Sequence, residues 1–242
     1  MAHITAFFTA VFYQPLYNGL IFLFTVLPWA DAGFVVIIFT IVIKLILFPL
    51  SIKATRAQME MKEIEGELKD IKEKYKDNKE LQTQKTMELY KEKNINPFAS
   101  LLVLIIQLPI IIALYRVFLH SGLPKIDMTM LYHYVAIPAQ VSMQFLWIHD
   151  ISSRSIVLAV LAGISTYFQV KYSIPVDVAT DKSKKTPQED MMRMFQTQMK
   201  YFFPILVFFI SWSISAAVSL YWVTSNVFSV VQEMYMRKHV RK

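Results

Sequence analysis

Apolar residues fall in long runs along this chain, and charge is gathered in the blocks between them. A helix crossing the hydrocarbon core needs about 20 mostly apolar residues, and four runs qualify. The run 33–52 carries one charge, Lys44. The run 98–119 carries Gln107 and, near its far end, Arg116, and 155–172 carries Gln169 and Lys171. The last, 201–231, has 31 uncharged residues, roughly 46 Å of helix at about 1.5 Å per residue. That is long for one pass and short for two. A shorter aromatic-rich run, 16–27, lies between Pro15 and Pro28. Its length suits a helix lying in the membrane interface, with a sixth span as the alternative.

Charge resolves the topology, because Lys and Arg accumulate on the cytoplasmic side. None precedes Lys44, whereas eleven occur between Lys53 and Lys93. The N-terminus is therefore expected outside and 53–97 inside. The 121–153 loop, with only Lys125, returns outside, and Lys182, Lys184, Lys185, Arg193 and Lys200 lie inside again. A single final pass would strand Arg237, Lys238, Arg241 and Lys242 outside. Two passes, turning at 211–215 and lengthened by the amphipathic run 191–199, keep them inside. The predicted class is an all-α integral membrane protein of the plasma (inner) membrane. It has a five-transmembrane-helix bundle, a cytoplasmic helical hairpin and an N-terminal interfacial helix. The expected divisions are 1–32 for the outer helix and lead-in and 33–242 for the core, the latter including the hairpin 53–97 and a basic tail 233–242. No basic n-region precedes the first apolar run, so a cleavable signal peptide is not expected.

Eleven basic and ten acidic residues crowd 53–93. Met61, Ile64, Leu68, Ile71 and Tyr75 recur at 3-4-3-4 spacing, a narrow apolar stripe on a helix. Asp77-Asn78 signals a turn, a second helix with Leu81, Met87 and Tyr90 follows, and Asn96-Pro97 ends it. Links between helices usually take about 2–8 residues, so a 45-residue insert reads as a contact surface, with Met59, Met61, Ile64 and Leu68 as its contacts. A solvated connector is the plainer reading.

Composition agrees with a membrane protein: 55% hydrophobic, 18% charged and no cysteine. It excludes a disordered chain, a disulfide scaffold and an ordinary soluble enzyme. The notable polar residue is Lys44. Its Cα lies about 12 Å from the end of its run, farther than a lysine stem reaches by snorkelling. Burial there costs at least about 2.5–3.5 kcal/mol. No Asp or Glu occurs in any of the four runs, so a hydrated groove must compensate. Gln107, Gln169, Ser211, Ser213, Ser215, Thr224, Ser225, Asn226 and Gln232 could supply its wall. For each of these alone, glue between helices is the plainer role. No paired carboxylates, metal-ligand spacing, nucleophile motif or glycine-rich phosphate loop occurs. The sequence therefore predicts no enzyme, no metal, no cofactor and no nucleic-acid substrate.

The chain resembles the YidC/Oxa-type membrane protein insertases. The likeness rests on FYQPLYNGLIFL at 12–23, IVIKLILFPLSIKATRAQ at 41–58, KYKDNKELQTQKTMELYKEKNINPF at 74–98, LLVLIIQLPIIIALYRVF at 101–118 and SLYWVTSNVFSVVQ at 219–232, in that order. The resemblance implies a five-helix core around a hydrophilic groove open to cytoplasm and lipid. The family's groove arginine aligns with Lys44, which keeps the charge and loses the planar fork. Gln169 and Trp222 are the nearest matches to its groove Gln and Trp, with Asn226 and Gln107 beside them. An apolar exit for the client helix would run over Leu101, Ile105, Ile112, Phe202, Phe203 and Phe208. The implied partners are nascent membrane proteins and the bilayer, with the ribosome or signal-recognition machinery and a Sec-type translocon as further candidates. An assembly chaperone without insertion activity, or a small-solute transporter, is the rival reading.

Overall fold

The computed structural model describes residues 6–96, 99–119, 123, 125–173 and 187–239. These residues are helical apart from connecting loops, and they contain no strand, only an isolated antiparallel bridge between Phe145 and Ile148. The helices are α1 (Ala6–Val26), α2 (Ala32–Ile46), α3 (Phe48–Glu63), α4 (Glu65–Lys74), α5 (Lys79–Glu92), α6 (Ala99–Leu119), α7 (Ile156–Ser173), α8 (Pro187–Ser213) and α9 (Ala216–His239). They form two compact units, one of Met1–Leu45 and Leu108–Lys242 and one of Ile46–Gln107.

Two helices, α1 and α7, are each long and apolar enough to cross a membrane, and Ala32–Ile46 with Phe48–Met61 makes a third as a broken pair. Leu108–Phe118 and Lys200–Ser213 are shorter apolar helices. Two expectations on helix bounds change. The first apolar helix is longer than Pro15 and Pro28 suggested, because a π-helical turn at Thr9–Tyr13 precedes Pro15, which then stands in the first turn of the regular helix. A proline ring collides with the carbonyl four residues back in a regular helix, and a wider turn there relieves the collision. The run 33–52 is not one helix but is interrupted at Leu47, two residues before Pro49. The residues of the expected basic tail at 233–242 are helical through His239, with Met236 among them buried; positions 240–242 lie outside the described residues.

Within the larger unit the loop before α7 acts as a tie. Ser142 accepts from the backbone N–H of Ala32 at 2.8 Å, Met143 from that of Ile151 at 2.7 Å and Ser153 from that of Ala216 at 2.7 Å. The starts of α2 and α9 are thus fastened to one segment. The Phe145 side chain fills the space a Cβ on Gly33 would occupy and meets the Phe34 ring edge-on. The buried α1 residues Tyr17 and Asn18 hold the same loop farther back. Tyr17 Oη accepts from the Asp127 N–H at 2.7 Å, and the Asn18 amide bonds Met130 and Tyr132.

The directions of α7, α8 and α9 follow from side-chain pairs. Gly163 on α7 lies where a Cβ would be 3.2 Å from the Pro204 carbonyl and 3.3 Å from Phe208 Cβ. Tyr167, a turn later, meets Tyr201, a turn earlier. So α8 runs antiparallel to α7. Ala216 and Ala217 bond residues just before α7 begins, and Asn226 bonds Ser165 and Thr166 midway along it, so α9 runs parallel to α7. The chain therefore reverses between Ser213 and Ala216, within the expected turn at 211–215.

The smaller unit is a helical hairpin with its own core of Ile64, Leu89 and Ile95, on which Met61, Leu68, Ile71 and Tyr90 pack. Asn78 caps α5, accepting from the Leu81 N–H at 3.0 Å. At the other end Asn94 takes φ 54°, and the Ile95 N–H returns to the Tyr90 carbonyl at 2.9 Å, a left-handed helix stop that asparagine tolerates. The stop tucks Ile95 into the core. The expected contact stripe is thus largely consumed inside the hairpin: Ile64 is buried, Met61 and Leu68 are half-buried against it, and only Met59 stands apart from the cluster.

Candidate functional site: a polar layer across the helices

Lys44 is half-buried in the last turn of α2. Its Nζ donates to Ser229 Oγ on α9 at 3.1 Å, and Ser229 in turn donates to the Ser225 carbonyl at 2.9 Å. Among the described residues no carboxylate makes an ion pair with Lys44. A hydroxyl satisfies one of its three N–H donors and none of its charge. The ammonium therefore holds an attraction available to an incoming anion, stronger where the dielectric is low.

The layer extends from Ser229 to α7. The Asn226 amide donates to Thr166 Oγ1 at 2.8 Å and to Ser165 Oγ at 3.1 Å, so its N–H donors are occupied between the two helices. Gln169, half-buried one turn on, donates to Ser173 Oγ at 3.1 Å within its own helix. Trp222 is half-buried, one turn before Asn226. Lys44 lies twelve residues after Ala32, Ser229 thirteen after Ala216, and Asn226 ten after Ala216. At about 1.5 Å per residue these side chains share a band about 15–20 Å from the tied ends.

The structure thus ties Lys44 on α2, through Ser229, to α9, the helix that carries Asn226, and places Gln169 on α7, the helix that Asn226 grips. The side chains of Gln107, Leu101 and Ile105 lie outside the described residues. Of the expected exit face, Ile112 and Phe202 are exposed, Phe203 is half-buried, and Phe208 is half-buried beside Gly163. Ser211 and Ser215, offered as groove wall, are buried near the helix reversal with orphan hydroxyls.

A family model described as 60Kd inner membrane protein matches residues 23–242. The chain belongs to that family. It is 36% identical over 215 residues to the membrane protein insertase YidC of Clostridium tetani, covering 89% of this chain and 86% of that one. The membrane protein insertase YidC of Fusobacterium nucleatum is also 36% identical, over 207 residues and 86% of its length. The membrane protein insertase YidC of Francisella philomiragia is 32% identical over 209 residues. This chain spans 32% of that longer relative.

Sequence reasoning passed over three residues of the layer, Ser229, Ser165 and Thr166, and a fourth beside it, Glu233. Ser229 sits 185 positions from Lys44, and nothing in its own surroundings marks it among the other α9 serines. Ser165 and Thr166 read as ordinary small residues of an apolar run. Glu233, a buried carboxylate one turn past Ser229, falls just beyond the uncharged stretch. The available signal was the i, i+4 ladder Ser225, Ser229, Glu233, which marks one face of α9.

Proposed function

We propose that this chain is a membrane protein insertase. It receives nascent membrane proteins at the cytoplasmic side, draws their polar outer tails toward Lys44, and releases the apolar helix into lipid without nucleotide hydrolysis. The observation that carries this reading is Lys44 itself: a half-buried cation answered by a serine hydroxyl rather than a carboxylate. The names of the similar proteins support it from a second side.

In this reading the core makes five spans with the N-terminus outside and the C-terminus in the cytoplasm, and 1–32 forms the outer lead-in. Gln169 and Trp222 line the path beside Lys44, and Asn226 holds α7 and α9 at the width the path requires. The client leaves over Ile112 and Phe202, where burial of apolar surface at about 25 cal/mol per Å² supplies the drive. Met59 and the charged outer face of the hairpin meet incoming chains or the targeting machinery. A Sec-type translocon is a further partner in this scheme.

The test is reconstitution of the purified chain in nucleotide-free vesicles with a short single-span client bearing an acidic outer tail. The wild type and Lys44→Arg insert it, and Lys44→Ala inserts it several-fold less. Equal insertion by Lys44→Ala, or insertion that requires a nucleotide, would overturn the mechanism.

A further inference from the structure

Residues 145–148 form a two-residue turn closed by mutual backbone hydrogen bonds between Phe145 and Ile148, both 2.8 Å. Leu146 takes φ 51°, and Trp147 does not have positive φ. That sign pattern belongs to a turn whose first central position is taken by glycine by default. A leucine there is held in a conformation its Cβ disfavours, and it gains no burial in return. Leu146 is 62% exposed and Trp147 60%. The two residues flanking them are buried, and Phe145 is wedged against Gly33 and Phe34. The turn is thus a rigid base presenting two large apolar side chains.

Its position says what covers them. The Gly33 N–H points at the Gln144 carbonyl at 3.5 Å, so the turn stands at the first residues of α2, the start of the broken apolar pair Ala32–Ile46 and Phe48–Met61. Trp29, 75% exposed, lies just before the same helix start. Tryptophan concentrates at the ends of membrane-crossing segments, where its ring lies at the headgroup level. The backbone of the turn pairs with itself, which suits a poorly hydrated boundary. A two-residue tip is too small for a stable protein partner, whose contact takes about 800 Å² per side.

We infer that the Leu146–Trp147 tip is a lipid anchor: it inserts into the headgroup–acyl boundary of the bilayer and, with Trp29, fixes the height of the α2 start and its tied loop in the membrane. This holds whichever side of the membrane that end faces, so it stands apart from the proposed topology and insertase activity.

The test uses the full chain in vesicles of phosphatidylcholine and phosphatidylglycerol brominated either near the headgroup or near the chain terminus. In the single-tryptophan form (Trp29→Phe, Trp212→Phe, Trp222→Phe), shallow bromines should quench Trp147 roughly twofold more than deep ones, as a headgroup-level ring requires. Leu146→Asn keeps a residue that tolerates positive φ while removing the apolar contact, and should shift Trp147 emission to the red and weaken the shallow quenching. Absence of quenching at either depth, stronger quenching from deep bromines, or a Leu146→Asn form indistinguishable from its parent would each overturn the anchor. Insertion activity of the wild-type chain in vesicles of the same lipids reports separately on the proposed function.

Discussion

Lys44 on α2 and Ser229 on α9 meet at 3.1 Å at almost equal distances from two helix starts that a single loop fastens together. The equality makes the pairing a matter of register. Parallel helices tied at one end bring equal depths opposite each other, so the loop before α7 selects the α9 residue that faces the lysine. Ser229 fills that place with a donor and acceptor too weak to neutralise an ammonium, and the charge stays available.

Asn226 and Thr166 should be energetically coupled. Hydrogen bonds between helices in membranes average about 0.6 kcal/mol and reach about 1.7 kcal/mol. Asn226→Ala and Thr166→Val are each expected to destabilise the detergent-solubilised protein within that range, and the double variant to lose less than the sum. Strict additivity in a double-mutant cycle would show that the 2.8 Å bond carries no stability.

Two glycines predict opposite signs. Gly66 has open space where a Cβ would go, so Gly66→Ala should stabilise helix α4 by about 0.5–1 kcal/mol. At Gly33 the Phe145 ring occupies that space. Gly33→Ala must displace it and should cost about 1–3 kcal/mol as overpacking. Thermal unfolding of the two variants beside the wild type checks both.

The hairpin core should fail locally. Leu89→Ala removes a buried partner of Ile64 and Ile95, a change that costs about 2–5 kcal/mol in large cores and about the lower figure in a cluster this small. Limited proteolysis should then cut 60–93 first while α7–α9 stay protected. Simultaneous loss of both regions would contradict a separate hairpin core.

Surface charge in the hairpin gives a signed pH dependence. Lys85 hydrogen-bonds Glu88 at 2.6 Å, which raises the lysine and lowers the carboxyl from their ordinary values. Lys93 is raised by its bond to Glu67. A raised lysine contributes stability that is complete below its ordinary value and is lost as pH climbs through the raised one. A lowered glutamate contributes above its ordinary value and loses this as pH falls through the lowered one. Between these limits hairpin stability should be flat. Lys85→Gln should move the Glu88 titration back up toward the usual carboxylate range, read by carbon-13 NMR of its side chain.

Thiol labelling tests the proposed topology. The chain contains no cysteine, so Ser213→Cys and Arg241→Cys are the only reactive positions in their variants. An impermeant reagent on intact cells should label 213 and spare 241. Labelling at 241 would place the basic tail outside, against the positive-inside bias, and the five-span arrangement would go with it.

Much of this fold was legible because hydrophobic runs and turn residues act locally. The reversal near Ser213, the Asn78 cap and the stop beyond Glu92 all follow from residues within a few positions of one another. Helix continuity was harder to read: Pro15 looks like a boundary until a π-helical turn is known to precede it. The site was half legible. A lysine deep in an apolar run announces itself by its solvation cost, whereas the serine that answers it depends on register between segments 185 residues apart. The hairpin stripe had the right period, and Ile64, Met61 and Leu68 on it pack within the hairpin; periodicity marks a buried face without naming what buries it.

The loop that bonds the starts of α2 and α9 has a mechanical corollary. Rods clamped at one end behave as levers, and the clamp leaves angle as their cheapest freedom. With Lys44 about 18 Å from the clamp, a tilt of roughly 5° of α2 against α9 moves the ammonium about 1.6 Å from Ser229, enough to break that bond while every tie at the loop survives. The bond that holds the lysine is therefore far more sensitive to the angle between α2 and α9 than the ties at the loop are.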